Sequence, residues 1–264
     1  MQDIDDKVID ATLEVGKETA LELVKPTAKS IGENIGLLID GVMGWIGFWG
    51  KKQQIKREEY LRDYKEKISK KIKEIPEENL VEPSIKIIGP AIEASKYYID
   101  EDFCREMFSK LIASNCDSRL NDYTHPGFIE IIKELSTLDA KFLLIFIENN
   151  TYPMVELEEH HSNGKVTPFL FNLIDFKGIM HGFQISDQFK LSKVLDNLIR
   201  LGIIKKNSSV WELDYDYNLF KEHFLYGVCE KTIEKDSKIE MKKYRIELTE
   251  FGKDFVKCCI PQNK

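Results

Sequence analysis

The sequence predicts a mainly α-helical protein with an N-terminal helical arm, a central helical domain and a C-terminal winged-helix-like α+β unit. Three observations predict it. Residues 28–136 carry apolar residues at helical spacing, interrupted by prolines and capping residues. Asn163-Gly164 lies between Val155, Leu157, Val166 and Phe169, the pattern of a hairpin and its turn. From Ser186 onward the order reads helix, glycine stop, strand, long hairpin, strand, helix. The boundaries expected are 1–75 for the arm, 76–136 for the central domain and 137–264 for the winged unit.

Within the arm, Met1 to about Lys25 reads as an acidic helix that Pro26 interrupts. Residues 28–50 hold glycines 32, 36, 41, 44, 47 and 50 among large apolar residues. On a helix, Ile31, Ile35, Leu38, Val42, Trp45 and Trp49 share one stripe, while Gly32, Gly36, Gly44 and Gly47 form a small-residue surface. Each glycine costs a soluble helix about 1 kcal/mol relative to alanine, so close packing or lipid must offset it. Trp45 and Trp49 followed by Lys51, Lys52, Lys56 and Arg57 resemble an interfacial belt with a basic flank. Glu33 and Asp40 oppose a simple membrane span and favour a buried or oligomer-forming helical hairpin. Residues 51–75 then form a charged helix with eight Lys and two Arg against four Glu and one Asp. The contact residues expected for membrane or oligomer are therefore Gly32, Gly36, Gly44, Trp45, Gly47, Trp49, Lys51 and Lys52.

After Pro76, Pro83 suits the first turn of a helix over roughly 84–98. Asp100 is the expected N-cap of a helix to about Asn115, with Glu101 and Asp102 at its positive end. Pro126 opens a helix carrying Phe128, Ile131, Ile132 and Leu135. Ser136 and Asp139 form an acidic capping box before an apolar helix, 140–148. In the last piece, Ser186 is the expected cap of a helix whose stripe is Leu191, Leu195, Leu198 and Ile199. Gly202 stops it, Ile203-Ile204 begins a strand, and Trp211–Asp214 and Tyr244–Leu248 supply two more. Thr249 caps a closing helix over 250–258.

Composition bounds the chemistry. With 42% hydrophobic and 11% aromatic residues, 264 residues can bury a core, which excludes a wholly disordered chain. A formal charge of −7 means that nucleic acid could be held only by a local basic patch. Five cysteines without a CxxC pair fit neither a disulfide framework nor a zinc ribbon, and place the protein in a reducing compartment, the cytoplasm. The first thirty residues lack the basic and apolar regions of a secretory signal, so none is expected. Nucleotide, zinc-protease and serine-hydrolase motifs are missing, and Gly47–Lys52 has the wrong spacing for a phosphate loop.

The remaining candidates read as structural. Glu156, Glu158, Glu159, His160 and His161 make the densest set of metal-ligand types, but adjacent strand histidines face opposite ways, and a solvated hairpin tip is expected. His125 before Pro126 suits a helix cap. Vicinal Cys258-Cys259, and Cys104 and Cys116 three turns apart, support no redox pair. No catalytic residue, metal ligand or cofactor is expected, and no metal-dependent activity. Opposite the stripe of the helix after Ser186, Lys193, Asn197 and Arg200 are the candidate DNA contacts, with Asp196 among them. Two cations are thin for clamping phosphates.

Residues 75–144 resemble the Abi-alpha family of bacterial abortive-infection proteins. The resemblance is carried by IPEENLVEPSIKIIGPAIEASKYYIDEDFCREMFSKLIASNCDS and THPGFIEIIKELSTLDAKFL, above all Pro76, Pro83, Pro90, Glu93, the Phe108–Leu111 face and the His125-Pro126-x-Phe128 turn. NLIRLGII and, much later, ELTEFGKDFVKCCI extend it into the tail, while the long insertion between the expected wing strands departs from it. The resemblance implies phage defence by growth arrest, and it brings no catalytic residues. The function expected is thus a non-enzymatic defence protein acting through protein or membrane interaction. It would be cytoplasmic, with self-association or a protein partner and with peripheral contact at an anionic inner membrane surface as the lipid variant. The alternative is a winged-helix regulator that binds DNA.

Overall fold

Isoleucines one helical turn apart organise the first part of the chain. The computed structural model describes residues 27–43, 51–174, 185–208 and 215–261, with the backbone alone at 43, 51–55, 185 and 186. The described residues fall into two compact units that divide between Ile129 and Glu130. They are mainly helical, with one four-stranded antiparallel sheet.

In the first unit, helix α1 (Ala28–Met43) buries Ile31, Ile35 and Ile39, the i, i+4, i+8 stripe of an amphipathic helix. It packs on α2 (Lys51–Lys73) and α3 (Ile85–Ser95), and both of these pack on α4 (Asp102–Asn115). Tyr64, Ile68 and Ile72 of α2 meet a core that includes Ile88 and Ile92 of α3 and Phe108, Leu111 and Ile112 of α4. Burying such side chains contributes roughly 1.5–3 kcal/mol each. The expected stripe of α1 is corrected at one position: Ile39 is buried, whereas Leu38 is 40% exposed. The first expected helix and residues 44–50, with Gly44, Trp45, Gly47 and Trp49, lie outside the described residues.

Two caps differ from expectation. Helix α3 is shorter than 84–98, and the Ser84 amide at its start donates to Asn115 Oδ1 at 2.7 Å, from the far end of α4. Asn115 Nδ2 donates to Thr124 Oγ1, so one buried amide ties three segments. At the start of α4 the cap position is Glu101 rather than Asp100, and its side chain makes no capping bond. Arg105 fixes this end instead, donating to Ile99 O, Asp63 and Asp102.

Helix α5 (Gly127–Glu134) spans the division between the units. His125 Nδ1 accepts the Gly127 amide at 3.0 Å, the capping role expected of it. In the second unit, α6 (Thr137–Leu143) starts at the expected capping box: Ser136 and Asp139 exchange both backbone–side-chain bonds. A 3-10 turn over 144–147 follows, where Tyr152 reaches back to donate to Ile145 O.

The sheet has the order β2-β1-β4-β3, with β1 Thr151–His160, β2 Val166–Leu173, β3 Ile204–Asn207 and β4 Lys238–Leu248. Gly164, at φ +82°, makes the expected turn between β1 and β2. The helix expected from Ser186 onward is two helices, α7 (Ile185–Gln188) and α8 (Leu191–Arg200), separated at Phe189-Lys190. Ser186 therefore lies within α7, the cap position of α8 is Lys190, and Val194 replaces exposed Ile199 in the buried stripe. Gly202, at φ +70°, ends α8 as a Schellman turn: its amide bonds Ile199 O and the Ile203 amide bonds Leu198 O. Trp211–Asp214 lies outside the described residues. The long insertion is folded: a 3-10 turn over 217–222 and helix α9 (Phe224–Thr232) cover one sheet face. Tyr217, Phe220, Leu225, Tyr226 and Cys229 pack there on Val155, Leu157 and Leu173. Thr249 then caps α10 (Glu250–Cys259) through the Gly252 amide.

Candidate functional site

Three surfaces carry the sequence candidates. On α1, Gly32 and Gly36 stand half-buried, and a Cβ at either would meet nothing within 4 Å. Among the described residues, then, neither glycine serves a close backbone approach. Leu37 is 70% exposed beside them, and Leu38 lines a groove with Ile31, Ile35, Pro83, Ile85 and Ile88. This helix therefore has a buried isoleucine face and an outer face that still bears large apolar groups.

Part of the basic surplus of α2 is consumed inside the unit. Lys65 pairs with Asp40, Lys67 with Asp63, Asp102 and Glu106, and Lys71 with Glu106, while Arg57 donates to Lys96 O. Burial by itself would raise the Glu106 carboxyl, but hydrogen bonds from Lys67 and Lys71 outweigh it and hold it below the ordinary carboxylate range. Among its described side chains α2 exposes Lys56, Arg62, Lys70 and Lys73 against Glu58, Glu59 and Glu66. Lys51 and Lys52 lie in the first turn of α2, with their backbone alone described. Among the described residues no helix is long and apolar enough to cross a membrane.

On α8, Lys193 is exposed, but its two companions are committed. Asn197 Nδ2 donates to Glu134 O at 3.2 Å and to Asp139 Oδ2 at 3.0 Å. Arg200 pairs with the Glu134 carboxylate and donates to Asn197 Oδ1. The polar face of α8 is thus engaged with the junction of α5 and α6.

The hairpin tip departs most from expectation. His161 is not solvated: its side chain is 9% exposed, and Glu159 beside it is 8% exposed. Glu234, from the loop between α9 and β4, completes a cluster that sequence spacing could not reveal, because 73 residues separate it from His161. The i, i+2 spacing of Glu159 and His161 was the one legible signal, since it puts both on one strand face. His160 points away, to within 3.3 Å of the Glu240 carboxylate. The Glu234 amide donates to Glu159 Oε1 at 2.8 Å and, against the effect of burial, holds the Glu159 carboxyl below its ordinary range. The thiols offer no further chemistry: all five cysteines are free and buried, and burial pushes Cys104 and Cys116 up to about 12.

A mainly helical architecture with one four-stranded antiparallel sheet is the class of protein that the described residues define. The family model described as abortive infection alpha matches residues 56–259, and the chain belongs to that family. The match takes in α3 to α10 and most of α2, and leaves α1 outside it. No curated protein and no solved structure matches the chain.

Proposed function

We propose that this protein acts in abortive-infection phage defence, without chemistry of its own, through contact between α1 and a protein partner. The observation that carries the reading is the outer face of α1. Leu37 and Leu38 remain accessible on a helix whose Gly32 and Gly36 leave room for another backbone. Family membership supports the defence role. The engagement of Lys65, Lys67 and Lys71 in ion pairs with Asp40 and Glu106 favours a protein over an anionic membrane surface, because attraction to anionic lipid needs uncommitted cations. The partner that fits is a helix presenting a complementary apolar stripe, a second copy of this chain included.

The test is phage challenge of cells expressing the full chain. Leu37→Glu with Leu38→Glu should abolish growth arrest while thermal stability stays within about 0.5 kcal/mol, as expected for surface changes. Full defence by that variant would overturn the reading.

The alternative DNA reading rests on α8, β3, β4 and α10, which follow one another as the parts of a winged helix do. It is weakened by the ties of Asn197 and Arg200 to Glu134 and Asp139. Lys193→Glu with Arg200→Glu should leave defence intact, and a salt-sensitive promoter complex lost in that double variant would favour DNA binding instead.

A further inference from the structure

The covered face of β1 runs through Val155, Leu157, Glu159 and on to His161, because alternate residues of a strand share a face. Pairing of His160 with Lys238 brings the start of β4, and the loop before it, alongside the end of β1. That loop delivers Glu234. One ligand atom from each of Glu159, His161 and Glu234 lies within 4.8 Å of the other two. His161 Nδ1 is 3.2 Å from Glu234 Oε2 and 3.8 Å from Glu159 Oε1. A tetrahedral ion with bonds of about 2.0–2.2 Å spaces its ligands about 3.3 Å apart, so only small adjustments would close the set.

The ring is also held from behind. His161 Nε2 lies 2.9 Å from Thr167 Oγ1 on β2, the kind of outer partner that orients a metal-binding imidazole. Oxygens of Glu234 and Glu159 both approach the other ring nitrogen, Nδ1, which also has Ser237 Oγ at 3.4 Å.

We propose that Glu159, His161 and Glu234 form a binding site for a divalent transition-metal ion of the zinc type. One imidazole nitrogen and two carboxylate oxygens suit a borderline ion, whereas calcium and magnesium take oxygen donors. Three protein ligands leave a position for water. Glu234 is 77% exposed, so the site opens to solvent on its side and an ion can enter without unfolding. The ion would clasp the β1–β2 turn to the loop before β4. This site belongs to the second unit and α1 to the first, and neither reading depends on the other.

The test uses the full chain, stripped with chelator and desalted. Titration calorimetry with Zn2+ should give one equivalent per chain, and Co2+ should give visible ligand-field absorption that Zn2+ displaces. His161→Gln and Glu234→Gln should each weaken Zn2+ at least about tenfold. His160→Gln, whose ring lies toward Glu240, should leave binding unchanged. Because Glu234 is exposed, its replacement keeps the experiment readable even if the His161 variant fails to fold. Absence of stoichiometric binding to the full chain, or binding that survives Glu234→Gln unchanged, would overturn the proposal.

Discussion

At Gly252 a single hydrogen decides whether two segments fit. A Cβ there would lie 1.9 Å from Ile203 O, in backbone that cannot move aside, because the Thr249 amide and the Thr249 hydroxyl both bond the Gly202-Ile203 strand start. Gly252→Ala should therefore cost at least the 1–3 kcal/mol typical of overpacking, seen as a lowered urea midpoint with unchanged slope. Asn115 is the matching polar case. Asn115→Ala would remove the acceptor of the Ser84 amide and the donor to the Thr124 hydroxyl, two bonds at about 0.5–1.5 kcal/mol each, and should lower stability by about 1–3 kcal/mol in the same measurement. Neither residue was legible beforehand. Glycine in ELTEFG reads as a mild helix weakness, and Asn115 reads as a helix end, because both depend on a segment remote in sequence. The Ser136–Asp139 capping box and Gly202 were legible because their partners lie within a few residues.

For elements, α1 separates the demands of folding from those of contact. Its isoleucines belong to the core, but a Cβ at Gly36 would meet nothing within 4 Å among the described residues. Gly36→Leu should consequently leave the fold intact and gain part of the ~1 kcal/mol that glycine forfeits in a helix. The same change should block close approach by a partner helix, so sedimentation should show loss of assembly without loss of stability. Full assembly by a stable Gly36→Leu protein would remove the glycines from the interface. Helical spacing made this element legible, and it also made the buried stripe drift by one position, since a 3.6-residue period does not distinguish Leu38 from Ile39. Likewise, α7 and α8 read as one helix because their apolar spacing is continuous across Phe189-Lys190.

For the whole molecule, the charged arm is part of the fold. Removing 1–75 would delete Ile31, Ile35, Ile39, Tyr64, Ile68 and Ile72 from the first unit's core, so such a truncation should be insoluble or unfolded. The ion pairs of α2 with α4 also set a pH window. Glu106 is held below its ordinary value of 4.5, so its contribution is present above that value and is lost as pH falls through the depressed one. Lys67 is raised above 10.5: burial opposes this, but Glu106 and its neighbours prevail. Its contribution is whole below 10.5 and is lost as pH rises through the raised value. Thermal melts should show a plateau between those limits, and Glu106→Gln should flatten the acid limb. A replacement that leaves the limb unchanged would assign acid sensitivity to other carboxylates. Charge counting along the sequence could not anticipate this, because it cannot tell which lysines face inward.

The position of β4 in the sheet has a kinetic consequence. It pairs with β1 along its length and with β3 on its other side, yet it is made after both. Until it arrives, one edge of β1 and the pairing edge of β3 must wait as open ladders, with the 77 residues 161–237 separating β1 from its mate. Closing so long a loop is slow relative to forming helices, and open edges invite pairing between chains. Synthesis therefore passes through a stage in which a helical first unit is complete while the sheet is still adhesive. Chains stalled before residue 238 should aggregate through that edge, and chains released after 248 should not.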